Sequence, residues 1–283
     1  MAQNVRAIKG RIGNVRDIGQ ITKAMNAIAM TKVTRMKRRL AHIRPYSRAL
    51  TAFAERLHGR MGEDADAHPL TVQNGSSVRA VFVLNADRGL CGRYKGDLNR
   101  ASDQRLTSLG HEGRLIVGGE KARAFFARRE VTPLRTYTHV YDQPTESVAA
   151  QIAEELMLLY EQGEVGHIEL LYMRFSSDLT QTMTTEPFLP LSLSSSPNDD
   201  LVDPEAAAML DVTLRMLLRA RMYMALVETK TSEDALRRQA MKAATGNAED
   251  LVKLLTRAYN KARQHAITRE IADIIGGAEA LRG

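Results

Sequence analysis

One cysteine, Cys91, in 283 residues excludes an internal disulfide and a zinc site built on cysteine thiolates. No apolar run reaches the roughly 18 residues that a membrane-spanning helix needs, so no integral membrane protein is expected. The opening MAQNVRAIKG has no apolar stretch of the kind that directs secretion, and a reducing compartment is expected. The seven histidines (42, 58, 68, 111, 139, 167 and 265) never fall in metal-ligand pairs such as i,i+4. Neither G-x-S-x-G nor G-x-G-x-x-G occurs. Gly113 and Gly118 have the Walker-A gap, but Gly119 and Glu120 stand where Lys and Ser/Thr are required, and the residues between them read as a strand. Cys91 has no His or Asn near it in sequence and reads as a structural thiol. No catalytic, cofactor or metal site emerges.

Proline is scarce where length matters. None occurs between Gln3 and Arg44, Pro45 being the first, and none follows Pro204; the only glycine between 205 and 275 is Gly246. These stretches predict two long helices, the second about 115 Å if unbroken at 1.5 Å per residue. In the first, Val5, Ile8, Ile12 and Val15 follow the 3-4 spacing of a coiled-coil seam. The seam then steps by three to Ile18, a stammer, and resumes at Met25, Met36, Leu40 and Ile43. Gly10, Gly13 and Gly19 each cost about 1 kcal/mol relative to Ala, and are expected where helices approach closely. In the second helix Met241, Ala244, Ala248, Leu251, Leu255, Ala258, Ala262 and His265 keep the spacing unbroken. A seam that rich in alanine needs a close partner, and each helix is expected to be the other's.

Between them the period changes. Val78–Leu84, Leu115–Val117 and Ile168–Phe175 read as strands, with helices near 95–109, 120–128 and 145–162. The alternation argues a small α/β layer with a partly parallel sheet, bounded by polar joints at 64–77 and 192–203. The expected division is an N-terminal helix at 1–60, an α/β domain at 61–204 and a C-terminal helix at 205–283. Charge follows it: residues 1–60 carry 14 Lys and Arg against two acidic residues, whereas residues 61–204 carry 13 against 21. Such a basic helix could track phosphates of nucleic acid or an anionic membrane surface. Only Tyr46 and Phe53 offer aromatic faces there, however, which serves single-strand stacking poorly.

Three segments resemble the γ subunit of F-type ATP synthase: IKGRIGNVRDIGQITKAMNAIAMTK at 8–32 continuing to RPY at 44–46, DRGLCG at 87–92, and AMKAATGNAEDL at 240–251 with NKARQHAITREIADIIGGAEAL at 260–281. They cover nearly the whole chain in order. The resemblance implies an α+α/β fold, in which the terminal helices wind into an antiparallel left-handed coiled coil and a Rossmann-like α/β domain is inserted between them. It implies a rotor shaft inside a ring of α and β subunits, with the foot against ε and the c-subunit ring. It also implies no bound nucleotide or cofactor, no nucleic acid, and peripheral attachment at the cytoplasmic face of a bacterial plasma membrane. An asymmetric shaft in a three-fold ring biases each of three identical sites differently, and the nucleotide states of those sites push back on the shaft. Proton-driven rotation would make ATP, and hydrolysis would reverse it.

By the same resemblance Arg263 and Gln264 match a pair that hydrogen-bonds a loop of β, and Thr268 and Glu270 match polar positions just after it. Met25, following Lys23-Ala24, matches a methionine on the opposing helix, and Glu233 of the Ser232-Glu233 pair is a further contact candidate. Arg238 departs from the family's usual apolar residue, and Val202-Asp203-Pro204 from its aromatic-rich approach to Glu-Pro. The regulatory cysteine pair of chloroplast γ subunits is absent.

Overall fold

The computed structural model describes residues 2–61, 68–140, 143–194 and 206–280. The Val202-Asp203-Pro204 departure and parts of both expected joints lie outside them. The elements run α1 (Ala2–Met61), β1 (Arg79–Leu84), α2 (Tyr94–Leu109), a 3-10 turn (Gly110–Glu112), β2 (Gly113–Gly118), α3 (Glu120–Ala127), β3 (Arg135–Tyr137), α4 (Glu146–Glu161), β4 (His167–Phe175), β5 (Gln181–Leu189) and α5 (Ala206–Ala280). The chain divides into two compact units: unit 1 joins residues 1–29 and 238–283, and unit 2 is residues 30–237. The division cuts both long helices.

In unit 2 the five strands lie in the order β3-β2-β1-β4-β5, parallel except for β5, which runs antiparallel to β4. Two strands were not among those expected. β3 is only three residues long, and β5 (QTMTTEPFL) is a polar, half-exposed edge strand carrying Pro187, which an edge tolerates. The central strand β1 is apolar and buried from Ala80 to Leu84 because both faces are covered. Ala80, Phe82 and Leu84, with Leu170 and Tyr172, face Ile152, Leu156 and Tyr160 of α4 and Leu57, Leu214 and Leu226 of the long helices. Val81 and Val83, with Leu171 and Met173, face Tyr94 and Leu98 of α2 and Ala122 and Phe126 of α3. The Thr145 hydroxyl caps α4 by accepting from the Val148 amide at 3.3 Å.

Within unit 2 the two long helices also pack on each other. Val33, Met36, Leu40 and Ile43 of α1 meet Val227 and Ala235 of α5, with Phe175 at the end of β4. Helix α1 runs through Pro45, whose ring sits on the exposed side, so the backbone bond it removes leaves a carbonyl on the water-facing side.

Candidate functional site

In unit 1 the two helix segments run antiparallel and close. A Cβ on Gly19 would stand 3.4 Å from the Cβ of Ala248, and the hydroxyls of Thr22 and Thr245 are 2.8 Å apart. The next contact up one helix is the next contact down the other. Carried on at that register, the beginning of α1 falls opposite residue 265, and residues 266–280 extend past it by about 22 Å at 1.5 Å per residue.

The seam differs from the expected one in three respects. There is no stammer: Ile18 is 54% exposed, and the 3-4 spacing continues through Gly19, buried Thr22 and buried Ala29. The inner positions of α5 are Thr245, Val252, Tyr259 and Ala266, alternating with Met241, Ala248, Leu255 and Ala262. Leu251, Ala258 and His265, expected inside, are exposed. Of the three glycines only Gly19 meets the other helix, since a Cβ at Gly10 or Gly13 would touch nothing within 4 Å. The 3.5-residue repeat is the one that supercoils left-handed.

Arg263, Gln264, Thr268 and Glu270 are all exposed on α5, the first two level with the beginning of α1 and the others past it. Among the described residues no hydrogen bond or ion pair engages the side chains of Arg263 and Glu270, whereas the Thr268 hydroxyl donates to the Gln264 carbonyl at 3.0 Å. Around them stand Ile267, Ile271, Ile274 and Ile275, also exposed. An apolar face with polar hydrogen-bonding groups set into it is the composition of a partner-binding surface. On α1, Lys23 is exposed and lines a 470 Å³ groove with Val15, Gly19, Ala248, Glu249 and Val252, and Met25 is half-buried. Ile18, Ile21 and Ile28 add exposed apolar area to the same helix.

Glu233 does not belong with these residues. It is 1% exposed inside unit 2, and its carboxylate is taken by Arg237 and, at 3.3 Å, by Lys230. The spacing of Lys230, Glu233, Asp234 and Arg237 at i,i+3 and i,i+4 was the available signal for such a cluster. Arg238 is half-buried.

The ends of the parallel strands in unit 2, where a nucleotide would sit in a Rossmann-like sheet, are filled by the chain's own side chains. Asn85 donates to the Asn99 carboxamide at 2.7 Å and to the Lys95 carbonyl at 3.2 Å. Asp87, the first residue of DRGLCG, accepts from the amides of Glu120 and His139 at 3.0 Å each, which caps α3. Gly119 has φ +96°, and a Cβ there would lie 2.4 Å from the Asn85 carbonyl oxygen. The residues of the Walker-like gap form strand β2 itself. Cys91 is buried, and burial, with Glu233 nearby, pushes its thiol pKa up, away from the reactive thiolate.

The basic character of α1 is partly consumed within unit 2. Arg44 binds Glu228 at 2.8 Å and the Phe175 carbonyl at 2.5 Å, Arg39 donates to the Pro144 carbonyl at 2.7 Å, and Lys37 meets Asp178 at 3.3 Å. A free phosphate-tracking surface is therefore not what these residues form.

A family model described as ATP synthase matches residues 4–281. The ATP synthase gamma chain of Parafrankia sp. (strain EAN1pec) is 36% identical over 298 residues, covering 99% of each chain. That of Desulfitobacterium hafniense (strain DSM 10664 / DCB-2) is 34% identical over 281 residues, covering 98% of this chain and 99% of the relative. In fold, a chain of the Euglena gracilis mitochondrial ATP synthase OSCP/F1/c-ring structure superposes with a TM-score of 0.69 at 17% identity, over 99% of this chain and 95% of that one. A chain of the Tetrahymena thermophila mitochondrial ATP synthase central stalk/c-ring structure gives 0.61 at 18% identity, over 79% and 99%.

Proposed function

Because this chain belongs to the ATP synthase gamma chain family, the central-stalk rotor component of that enzyme, we propose that unit 1 turns within the ring of α and β subunits while unit 2 is held by ε and the c-subunit ring. Proton flow through the membrane sector drives the rotation, and the β subunits make ATP, or hydrolyse it in reverse. This chain supplies no catalytic group and holds no nucleotide, a reading supported by the side chains that fill the strand-end crevice.

The observation that carries the reading is the part of α5 past the beginning of α1. Ile267, Ile271, Ile274 and Ile275 are 45–66% exposed there, although at about 25 cal/mol per Å² apolar side chains strongly favour burial. A surrounding sleeve of other subunits removes that area from water. Arg263, Gln264, Thr268 and Glu270 are the polar contacts set into it, with Lys23 and Met25 on α1. Attachment is peripheral, at the cytoplasmic face of a bacterial plasma membrane and through other subunits. No helix among the described residues is long and apolar enough to cross a bilayer. Nothing favours the nucleic-acid or anionic-lipid reading.

Reconstitution with bacterial α and β subunits tests the proposal. Assembly of one copy of this chain per three β subunits, with higher ATPase turnover than α and β alone, is the expected result. Failure to assemble, with tight salt-dependent binding of nucleic acid or anionic vesicles by the free chain, overturns it.

A further inference from the structure

Seven consecutive polar residues of α5, Glu228 to Asp234, are each no more than 3% exposed. A helix in a coiled coil normally buries one stripe; here the helix is enclosed on every side, and its polar groups are tied to four other parts of unit 2. Glu228 accepts from Arg44 of α1 at 2.8 and 3.0 Å, and Arg44 also donates to the Phe175 carbonyl at the end of β4. The Thr229 carbonyl accepts from the Tyr94 hydroxyl of α2 at 3.3 Å. The Ser232 hydroxyl donates to the Met173 carbonyl of β4 at 2.9 Å. Arg237 pairs with Glu233 and Asp234 and reaches the Gly89 carbonyl, in the loop after β1, at 3.3 Å; Lys230 closes the cluster against Glu233 and Asp234 at 3.3 and 3.4 Å.

Stability alone is a poor reason for this arrangement. Buried ion pairs seldom outperform well-packed apolar side chains, because desolvation consumes much of the attraction. What they add is direction. Apolar burial is non-directional, whereas hydrogen bonds weaken steeply off their axis. At 100° per residue the attachment points 228, 229, 232 and 237 spread over about 180° of the helix circumference. Turning α5 about its own axis within unit 2 therefore breaks ties on more than one side at once.

We propose that Glu228–Arg237 is a torsional key, a set of positioning residues that fixes the rotational setting of α5 in the α/β body and so carries torque between that body and the helix. This rests on the rotor reading and names the residues through which unit 2 grips the helix. On this reading the buried charges of the cluster hold the Arg237 guanidinium against the Gly89 carbonyl.

The test uses the assembled complex, immobilised by its α and β ring, with cysteine-free partner subunits and a bead on Leu179→Cys. Leu179 is 85% exposed beside β5, and Cys91 is too buried to compete for the label. The readout is the angular variance of the bead during a nucleotide dwell, when the ring holds the shaft. The variant Lys230→Met, Glu233→Met, Asp234→Leu, Arg237→Met replaces the cluster by apolar groups. It is expected to melt no lower than wild type and still to step on ATP, with a measurably wider variance, since the Arg237 tie to the Gly89 carbonyl, one of the four attachment points, is gone. A stable apolar variant with wild-type variance overturns the key. If that variant does not fold, Ser232→Ala combined with Tyr94→Phe decides, an unchanged variance again overturning it. A wild-type complex whose bead does not rotate at all instead overturns the rotor reading.

Discussion

Arg263 separates stability from function most cleanly. Its side chain is exposed, with no hydrogen bond or ion pair among the described residues, so Arg263→Ala removes nothing that holds the chain together. The urea midpoint of the free chain is expected to correspond to a change within about 0.5 kcal/mol. In the assembled enzyme the same guanidinium meets a loop of β on the proposed reading, and a hydrogen bond from a charged donor is worth about 1.5–3 kcal/mol. If that bond forms only in the rate-limiting state, coupled turnover falls by about 10- to 150-fold, at 1.36 kcal/mol per tenfold. The assay is ATP-driven proton pumping and ATP hydrolysis in inverted vesicles carrying the complex, with Arg114→Ala as control. Arg114 is also exposed, and among the described residues its side chain donates only to the carbonyls of its neighbours His111 and Gly113. Equal effects of the two substitutions on turnover would refute the contact assignment, as would a loss of chain stability in Arg263→Ala that accounts for its lost turnover.

Three further outcomes follow from the geometry. Gly19→Ala places its Cβ at ordinary contact with Ala248 and is expected to stabilise the chain by up to about 1 kcal/mol in thermal unfolding, whereas Gly19→Leu forces the helices apart and destabilises it. Gly119→Ala combines a positive φ with a Cβ 2.4 Å from a backbone oxygen and is expected to cost about 3 kcal/mol or more, read as a lowered urea midpoint. Burial holds the Glu228 carboxyl above its ordinary value of 4.5, with Arg44 opposing. Its proton-linked stabilisation is thus full below that value and lost as pH rises through the folded-state value. Wild type is therefore expected to lose stability relative to Glu228→Gln as pH rises from about 4.5, and a pH-independent gap between their urea midpoints would count against that.

Much of unit 2 was legible because its signals are local. The apolar runs of β1, β2 and β4 and the amphipathic helices between them identify themselves, since each buries its apolar residues inside the same unit. The edge strands escaped for the opposite reason: β3 and β5 are short or polar and owe their conformation to the neighbour they pair with. The buried run from Glu228 to Asp234 escaped because polarity reads as exposure, and only its i,i+3 and i,i+4 charge spacing hinted otherwise.

The misread seam of unit 1 teaches more. Hydrophobic periodicity finds the face a helix buries on the assumption that the chain buries it alone. In the middle of unit 1 the face shared by the two helices passes through small and hydroxyl-bearing residues, Gly19 against Ala248 and Thr22 against Thr245, which let the backbones come close. The larger apolar residues Ile18, Ile21, Ile28, Leu251 and Leu254 lie off that face and remain exposed. Following the larger side chains therefore led to Ile18 and produced a stammer where the heptad is continuous. Two apolar faces on one helix, one thin and turned inward, one bulky and turned outward, are the mark of a coiled coil that is itself enclosed. Arg263 and Gln264 lie level with the beginning of α1, so on the proposed reading the polar contacts to a surrounding subunit are placed where the outward face takes over.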